Sequence, residues 1–454
     1  MPVSDSALRD IFGAAFTTDP AECMAYGYDN SRRQAQPDAV VFPTAHEQVV
    51  ELVRACRATH TPLVARGRGT NTTGATVPEA GGVIASFERM NRIVRIDVDD
   101  RLAVVEPGVL NGDLQTALAA HGFFWPPDPT SSPYCTVGGN LACNAAGPRA
   151  VKYGSCRENT LGLRAVAGTG EEFRCGVNTT KGAVGYDLTR LLIGAEGTLA
   201  IITEATLKLT PKPAAKTTLS ASYTDVAAAT SAVTRIMAQP FVPCALEFMD
   251  GEALRLARAH AGAAIPNAGA LLIVEADGDP SDLPRAIAAL AAAARGAGLI
   301  ELHTATDTRE AETLWAARRA LSPALRTISH DKINEDVVVP VSRLPELIHA
   351  LRGIAQKHAI PIVNFGHAGN GNIHVNLLPR DAAEHARAQT ALPEVFRTVI
   401  ALGGTLSGEH GIGLAKRDFL ADALDPAALA LMHRIKTQFD PDGILNPKKL
   451  LPPA

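Results

Sequence analysis

The apolar positions change period twice within the first 75 residues. Ala39-Val40-Val41-Phe42 is a continuous apolar run, Val49, Val50, Val53 and Cys56 then recur at spacings of three and four, and Leu63-Val64-Ala65 is continuous again. Short unbroken runs predict buried strands and the three-and-four spacing predicts an amphipathic helix, so a β-α-β unit follows an amphipathic opening helix. The unit ends in the loop Arg66-Gly67-Arg68-Gly69-Thr70-Asn71-Thr72-Thr73-Gly74. Its glycines permit positive φ and allow several backbone N–H groups to converge on an anion, although an ordinary turn fits the same residues. A second stretch rich in small residues runs from Pro133 to Gly147, with Gly138, Gly139, Asn140 and Asn144 inside it, and a third runs from Gly185 through Gly194, Glu196 and Gly197 into a β pattern ending at Thr203. Three such loops in close succession suggest one extended ligand.

The pattern breaks at Thr210-Pro211-Lys212-Pro213, a linker composition. Three strand-helix-strand passes follow, around residues 218–248, 270–303 and 336–378, and predict helices covering one face of an antiparallel sheet. After about residue 405 the chain reads as loop, a helix over Pro426–Phe439 and a Pro-rich tail, too little to fold alone. The predicted organisation is therefore α+β: residues 1–213 as a first domain, 214–405 as a second, and 406–454 returning to the first.

Composition narrows the function classes. With 454 residues, 46% apolar and 20% charged, the chain can bury large cores in two or more domains. A formal charge of −4 and only 5% aromatic residues supply neither the field nor the stacking platforms that nucleic acid requires. The seven cysteines contain no CxxC and no clustered spacing, which predicts reduced thiols and no iron–sulfur cluster. The acidic opening MPVSDSALRD differs from a secretory leader, and the most apolar stretch, 286–300, is interrupted by Arg295 and too short to span a bilayer. A cytoplasmic chain is expected, with peripheral attachment to the inner face of the membrane left open.

Candidate chemistry concentrates late in the chain. An apolar strand reaches Asn364-Phe365-Gly366-His367, passes a Gly-Asn-Gly turn and leaves as Asn372-Ile373-His374-Val375-Asn376. If the turn folds back, His367 and His374 meet, and His374 shares a face with Asn376 at period two. Downstream, Ser407-Gly408-Glu409-His410-Gly411-Ile412-Gly413 adds a carboxylate and a third imidazole. Two His and one Glu are a common ligand set for a divalent metal with an open position, whereas each histidine alone reads equally as a hydrogen-bonded core residue. A metal-dependent hydrolase fits those residues too, but it leaves the large first half without a role.

The distributed motifs Arg66-Gly67-Arg68-Gly69-Thr70-Asn71, Thr136-Val137-Gly138-Gly139-Asn140, Gly194-Ala195-Glu196-Gly197-Thr198-Leu199, His367-Ala368-Gly369-Asn370-Gly371-Asn372-Ile373-His374, Gly408-Glu409-His410-Gly411-Ile412-Gly413 and Asn446-Pro447-Lys448 stand in one order. Over nearly its whole length the chain resembles the FAD-dependent 2-hydroxy-acid dehydrogenases of the vanillyl-alcohol oxidase and p-cresol methylhydroxylase superfamily. These include D-lactate dehydrogenases, glycolate oxidase flavin subunits and D-2-hydroxyglutarate dehydrogenases. The resemblance implies a two-domain p-cresol methylhydroxylase-type fold in which the second domain is a cap built on an antiparallel sheet. It further implies that FAD is held by Arg66, Gly67, Arg68, Gly69, Thr70, Asn71, Thr72 and Gly74, by Pro133, Thr136, Val137, Gly138, Gly139, Asn140, Asn144 and Gly147, and by Gly194, Glu196, Gly197, Ile201, Ile202 and Asn446. Thr70 stands where some relatives carry a flavin-linking histidine, so the implied FAD is noncovalent.

In the cap, the resemblance implies His367, His374 and Glu409 as ligands of a divalent metal, zinc first with manganese and iron as alternatives, and His410 as the base. Glycines must bend the chain between Glu409 and its neighbours, because adjacent residues of a straight strand face opposite ways. Arg318 is implied as the partner of a substrate carboxylate, Lys332 as a further substrate-side residue, and Asn376 either as a substrate contact or as the residue orienting His374. Asn370 replaces the Asp of many relatives. The implied reaction is oxidation of a small D-2-hydroxy acid to the 2-oxo acid, D-lactate first, with D-2-hydroxyglutarate, D-malate or glycolate as alternatives. Electrons then leave to a separate acceptor, a quinone, a cytochrome or an electron-transfer flavoprotein, and a homodimer is compatible with the family.

Overall fold

The computed structural model describes residues 3–261 and 265–453. The chain divides into two units, the first built from residues up to Gly147, Gly154–Lys212 and Glu409 onward, the second from Pro148–Tyr153 and Pro213–Gly408. The sequence reading places the breaks after 213 and 405 and leaves 148–153 in the first domain. Those six residues join the second unit because the Lys152 ammonium and the Tyr153 hydroxyl both bond the Asp277 carboxylate, the latter at 2.8 Å. The second unit's segment extends to 408 because the Ser407 hydroxyl and Gly408 N–H bond Asp336 at 2.8 and 2.9 Å.

The first unit holds two larger sheets. In one, the strands Ala39–Val41 and Leu63–Arg66 flank Val83–Ser86 in parallel, with Phe16–Thr17 antiparallel on the outer edge. The helix His46–Ala58 makes the crossover and buries Val49, Val50, Leu52, Val53 and Cys56 against Val41, Leu63, Val83 and Ala85. Fully burying each of the larger aliphatic side chains contributes roughly 1.5–3 kcal/mol. The carboxy-terminal segment continues this sheet: Leu63 N–H donates to Ile444 and Asn446 N–H donates back to Leu63, both at 2.8 Å. The other sheet is antiparallel, in the order 93–97, 102–105, 200–208, 160–167, 172–176. It closes over a core containing Leu114, Leu118, Val137 and Leu141, and also Trp125, whose indole N–H reaches the Asn159 carbonyl at 2.9 Å.

The second unit is one seven-stranded sheet with antiparallel neighbours throughout, in the order 299–304, 215–223, 270–278, 245–250, 362–367, 372–377, 333–338. The expectation of helices on one face is corrected here. Met249, Leu271, Ile273 and Phe365 pack with Leu254 of the helix Gly251–Ala261 and with Leu321 and Leu325 of the helix Thr308–Ile328. The alternate positions Leu246, Phe248, Leu272 and Val274 are buried as well, and the helices Val226–Ala238, Leu283–Ala294 and Leu344–His358 contact the same sheet. A strand buried at every position needs cover on both sides.

All seven cysteines are free and most are buried. Burial pushes the Cys56 thiol up to about 12, so it is an inert core residue.

Candidate functional site

In the first unit the small-residue loops meet. An added Cβ on Gly67 would lie 2.3 Å from the Thr136 hydroxyl, so only glycine lets the first loop pass the second. Thr136 caps the helix Val137–Cys143 by accepting the Gly139 N–H. Gly194 and Glu196 then donate to the carbonyls of Leu141 and Ala142, tying the third loop to the same helix. Arg66 lies inside its loop, donating to the Tyr28 carbonyl at 2.6 Å and to Thr76 at 3.2 Å. Asn446 joins the first and third loops by donating to Ala75 and Glu196 carbonyls at 2.9 and 2.7 Å.

Two side-chain atoms test whether a polar guest suits this place. The Thr72 hydroxyl is buried without a hydrogen-bond partner in the protein, and the Asn140 amide nitrogen, buried beside the weakly accepting Cys135 thiol, meets no oxygen or nitrogen acceptor. Buried donors are rarely left unmade, so both fit a cofactor that would accept from them. The other implied FAD residues are deployed unevenly. Asn144 turns left-handed after the helix and accepts from Ser155 and Arg157, and Ile201 is committed to the hydrophobic core. Arg68, Thr70, Gly74, Pro133, Gly138, Gly147, Gly197 and Ile202 lie in the same loops or at their margins.

Asn71 and Glu196 have a further task that their motifs alone do not disclose. The Asn71 amide oxygen accepts from Thr73 and Ala75 N–H groups, while its nitrogen donates to the His410 carbonyl at 2.8 Å. Leu414 and Ala415 donate to the Thr73 carbonyl. The Glu196 carboxylate accepts from Ile412 and Gly413 N–H at 2.6 and 2.8 Å. The main chain of His410 is therefore clamped by these loops, while Gly411 and Gly413, at φ 82° and 52°, bend it after His410. The His410 imidazole stays 20% exposed, with Nε2 at 3.8 Å from Glu409 Oε1.

Burial raises the Glu196 carboxyl to about 7, opposed by the Ile412 and Gly413 N–H groups and by Lys416 and Lys449. An acid whose pKa is higher folded than unfolded binds more protons in the native state. Its contribution is complete below about 4.5 and is lost as pH rises through about 7. The melting-temperature difference between the native protein and Glu196→Gln should therefore fall across that window. A difference that rises would show the carboxylate to be better stabilised when charged.

In the second unit, sheet register assembles the site. Glu247 is the cross-strand partner of His367, Phe365 that of both Met249 and His374, His374 also that of Asp336, and Asn376 that of both Val363 and Asn334. Cross-strand partners share a face, here the face covered by the helix Thr308–Ile328. The Gly-Asn-Gly turn folds back as expected, with Gly371 at φ 72°, where an added Cβ would meet the Val339 carbonyl at 1.9 Å. His367 and His374 are brought together, their ring centroids 5.2 Å apart and nearly perpendicular. Asp336, in bonding Ser407 and Gly408, sets the chain just before Glu409, and it also accepts from Asn372 at 2.5 Å. Ligand atoms of His367, His374 and Glu409 lie within 4.8 Å of one another.

The donor chemistry suits a divalent cation. His367 Nδ1 lies 2.5 Å from Glu247 Oε1, and a carboxylate there holds the proton on Nδ1 and leaves the Nε2 lone pair for a metal. Burial would raise the Glu247 carboxyl, but the facing His367 and Arg318 outweigh it and hold it below the ordinary range. Arg318 reaches the same face, Nε donating to Glu247 Oε2 at 2.7 Å and its guanidinium 4.6 Å from the Phe365 ring centre. Lys332, just before the strand Ile333–Val338, reaches the Ser322 hydroxyl at 3.4 Å. Asn376 donates to the His374 and Val363 carbonyls, while its amide oxygen is buried without a hydrogen-bond partner in the protein. Glu247 and Asp336 are absent from the sequence-derived site. Their signal is an acid inside the apolar run Ala245-Leu246-Glu247-Phe248-Met249, and an acid ahead of Val337-Val338-Val339.

Comparison with known proteins covers both units of the chain. Residues 212–450 match the family of FAD linked oxidases, C-terminal domain, and residues 37–176 match an FAD binding domain. The chain is 38% identical over 439 residues to the glycolate oxidase subunit GlcD of Bacillus subtilis (strain 168), covering 96% of this chain and 93% of the relative. It is 34% identical to the D-lactate dehydrogenase of Anaerostipes hadrus, covering 96% and 92%. With the D-2-hydroxyglutarate dehydrogenase of Stutzerimonas stutzeri (strain A1501) it shares 33% identity, covering 95% of each. Its fold matches that of p-cresol methylhydroxylase with a TM-score of 0.81 at 18% identity, covering 99% of this chain and 98% of the other. Alkyldihydroxyacetonephosphate synthase matches with a TM-score of 0.73 at 20% identity, covering 99% and 86%. The chain belongs to the FAD-linked oxidase family and is an FAD-dependent oxidoreductase with the p-cresol methylhydroxylase-type α+β fold.

Proposed function

We propose that this protein oxidises a small D-2-hydroxy acid to the 2-oxo acid, with D-lactate the first candidate and glycolate, D-malate and D-2-hydroxyglutarate the alternatives. The observation that carries the reading is the second unit's sheet face, where the His367 and His374 rings sit edge to face beside an arginine, in a chain whose relatives are named for glycolate, D-lactate and D-2-hydroxyglutarate. Bound noncovalently, FAD would take the hydride from C2, and a divalent cation, zinc or alternatively manganese or iron, would polarise the substrate's oxygens.

The chain's own residues do the rest. His367, His374 and Glu409 hold the cation. The terminal nitrogens of Arg318 face the substrate carboxylate, Nε being engaged with Glu247, and planar guanidinium donors match a carboxylate. His410 collects the proton released from the hydroxyl. The Asn376 amide oxygen accepts from substrate, and Lys332 adds a cation on the substrate side. One strong guanidinium favours a monocarboxylate, and Lys332 is the group available to a second carboxylate.

Reduced flavin needs a separate electron acceptor. Among the described residues no helix is long and apolar enough to cross a membrane, so docking to a quinone or cytochrome would be peripheral.

The deciding experiment is anaerobic titration of the yellow protein with D-lactate, L-lactate, glycolate, D-malate and D-2-hydroxyglutarate, following flavin absorbance. Bleaching by a D-2-hydroxy acid is expected, and bleaching by none of the acids would overturn the reading. Denaturation should release all the flavin into the supernatant, and flavin staying with the precipitate would show a covalent link.

A further inference from the structure

Glu247 is fully buried in the middle of a sheet, where a carboxylate is retained only if both oxygens are well partnered. Oε1 is 2.5 Å from His367 Nδ1 and Oε2 is 2.7 Å from Arg318 Nε. The contacts close into a ring. Arg318 lies over Phe365, the Phe365 ring centre is 5.7 Å from that of His374, and His374 packs edge to face on His367. One carboxylate thus touches the residue proposed to hold the cation and the residue proposed to hold the substrate.

We propose that Glu247 is a positioning residue that ties His367 and Arg318 to a single carboxylate, so that its loss weakens cation binding and hydroxy-acid binding together. The inference rests on the proposed function. Its chemistry lies in the donor count: His367 Nδ1–H and Arg318 Nε–H both require an acceptor, and a carboxylate supplies one on each oxygen. Glutamine in the same volume offers one acceptor and one donor. If its NH2 faces His367, the imidazole must accept on Nδ1 and carry its proton on Nε2, where the lone pair for the cation should be. If its NH2 faces Arg318, two donors oppose and the guanidinium loses its orientation.

The test uses the whole flavoprotein, stripped of metal with a chelator and titrated with Mn²⁺. Glu247→Gln should keep its FAD content while binding Mn²⁺ about 10–100-fold more weakly, as for other residues that orient a ligand. Its KM for the hydroxy acid should rise with a lesser change in kcat at saturating Mn²⁺. Arg318→Ala should shift Mn²⁺ affinity in the native background and leave it unmoved in the Glu247→Gln background, because the influence passes through the shared carboxylate. Mn²⁺ affinity equal to native in Glu247→Gln would overturn the proposal alone, as would equal Arg318→Ala shifts in both backgrounds. A native protein that binds no divalent cation would overturn the proposed metal site and this proposal with it. Should Glu247→Gln fail to accumulate as a flavoprotein, Arg318→Ala decides: a shifted Mn²⁺ affinity supports the tie and an unchanged one overturns it.

Discussion

Replacing His410 by alanine should leave a yellow, folded flavoprotein whose reduction by its hydroxy acid is slowed about 10²–10⁴-fold, the range for losing a positioned base. The structure allows the side chain to be tested apart from the fold. What holds this loop is main chain: Asn71 donates to the His410 carbonyl, and Glu196 accepts from Ile412 and Gly413. Alanine keeps those bonds, and the partly exposed imidazole is no part of a hydrophobic core. FAD content and melting temperature should therefore stay near native while the rate falls. A variant reduced at the native rate would remove His410 from the reaction.

Much of this site was legible in the sequence because its geometry is local. The Gly-Asn-Gly turn and period-two spacing were enough to bring His367 and His374 together, since a hairpin fixes which positions face each other. The destinations of Asn71 and Glu196 were not legible. Both stand in motifs that point to a cofactor, yet their side chains secure a loop more than 200 residues downstream, and such a pairing exists only once the carboxy-terminal segment has threaded between the loops. Glu247 was missed for a different reason. Alternation reads an acid in a strand as solvent-facing, but Ala245–Asp250 is buried along its whole length beneath helices on both sides. The unbroken apolar run Ala270-Leu271-Leu272-Ile273-Val274 carried the signal for two-sided cover, which expecting helices on one face overlooked.

Removal of the second imidazole should have the larger effect on the cation. His374 is buried, tilted against Phe365 and perpendicular to His367, so neighbouring rings rather than solvent define its orientation. His374→Ala deletes one of three protein ligands and leaves a void beside two aromatic rings, which the sheet cannot close without moving its strands. Binding of Zn²⁺ or Mn²⁺ should weaken by at least about 100-fold. If the cation contributes several kcal/mol to the developing charge at oxygen, flavin reduction should slow by about 10³-fold or more, at 1.36 kcal/mol per tenfold. Destabilisation by the void alone would lower the melting temperature without touching metal dependence, so a chelator provides the separating measurement. Chelated native protein should slow to the rate of the variant and recover when Zn²⁺ or Mn²⁺ is restored, whereas His374→Ala should respond to neither treatment. Full-rate reduction of chelated native protein would show that the paired histidines serve the fold and not the chemistry.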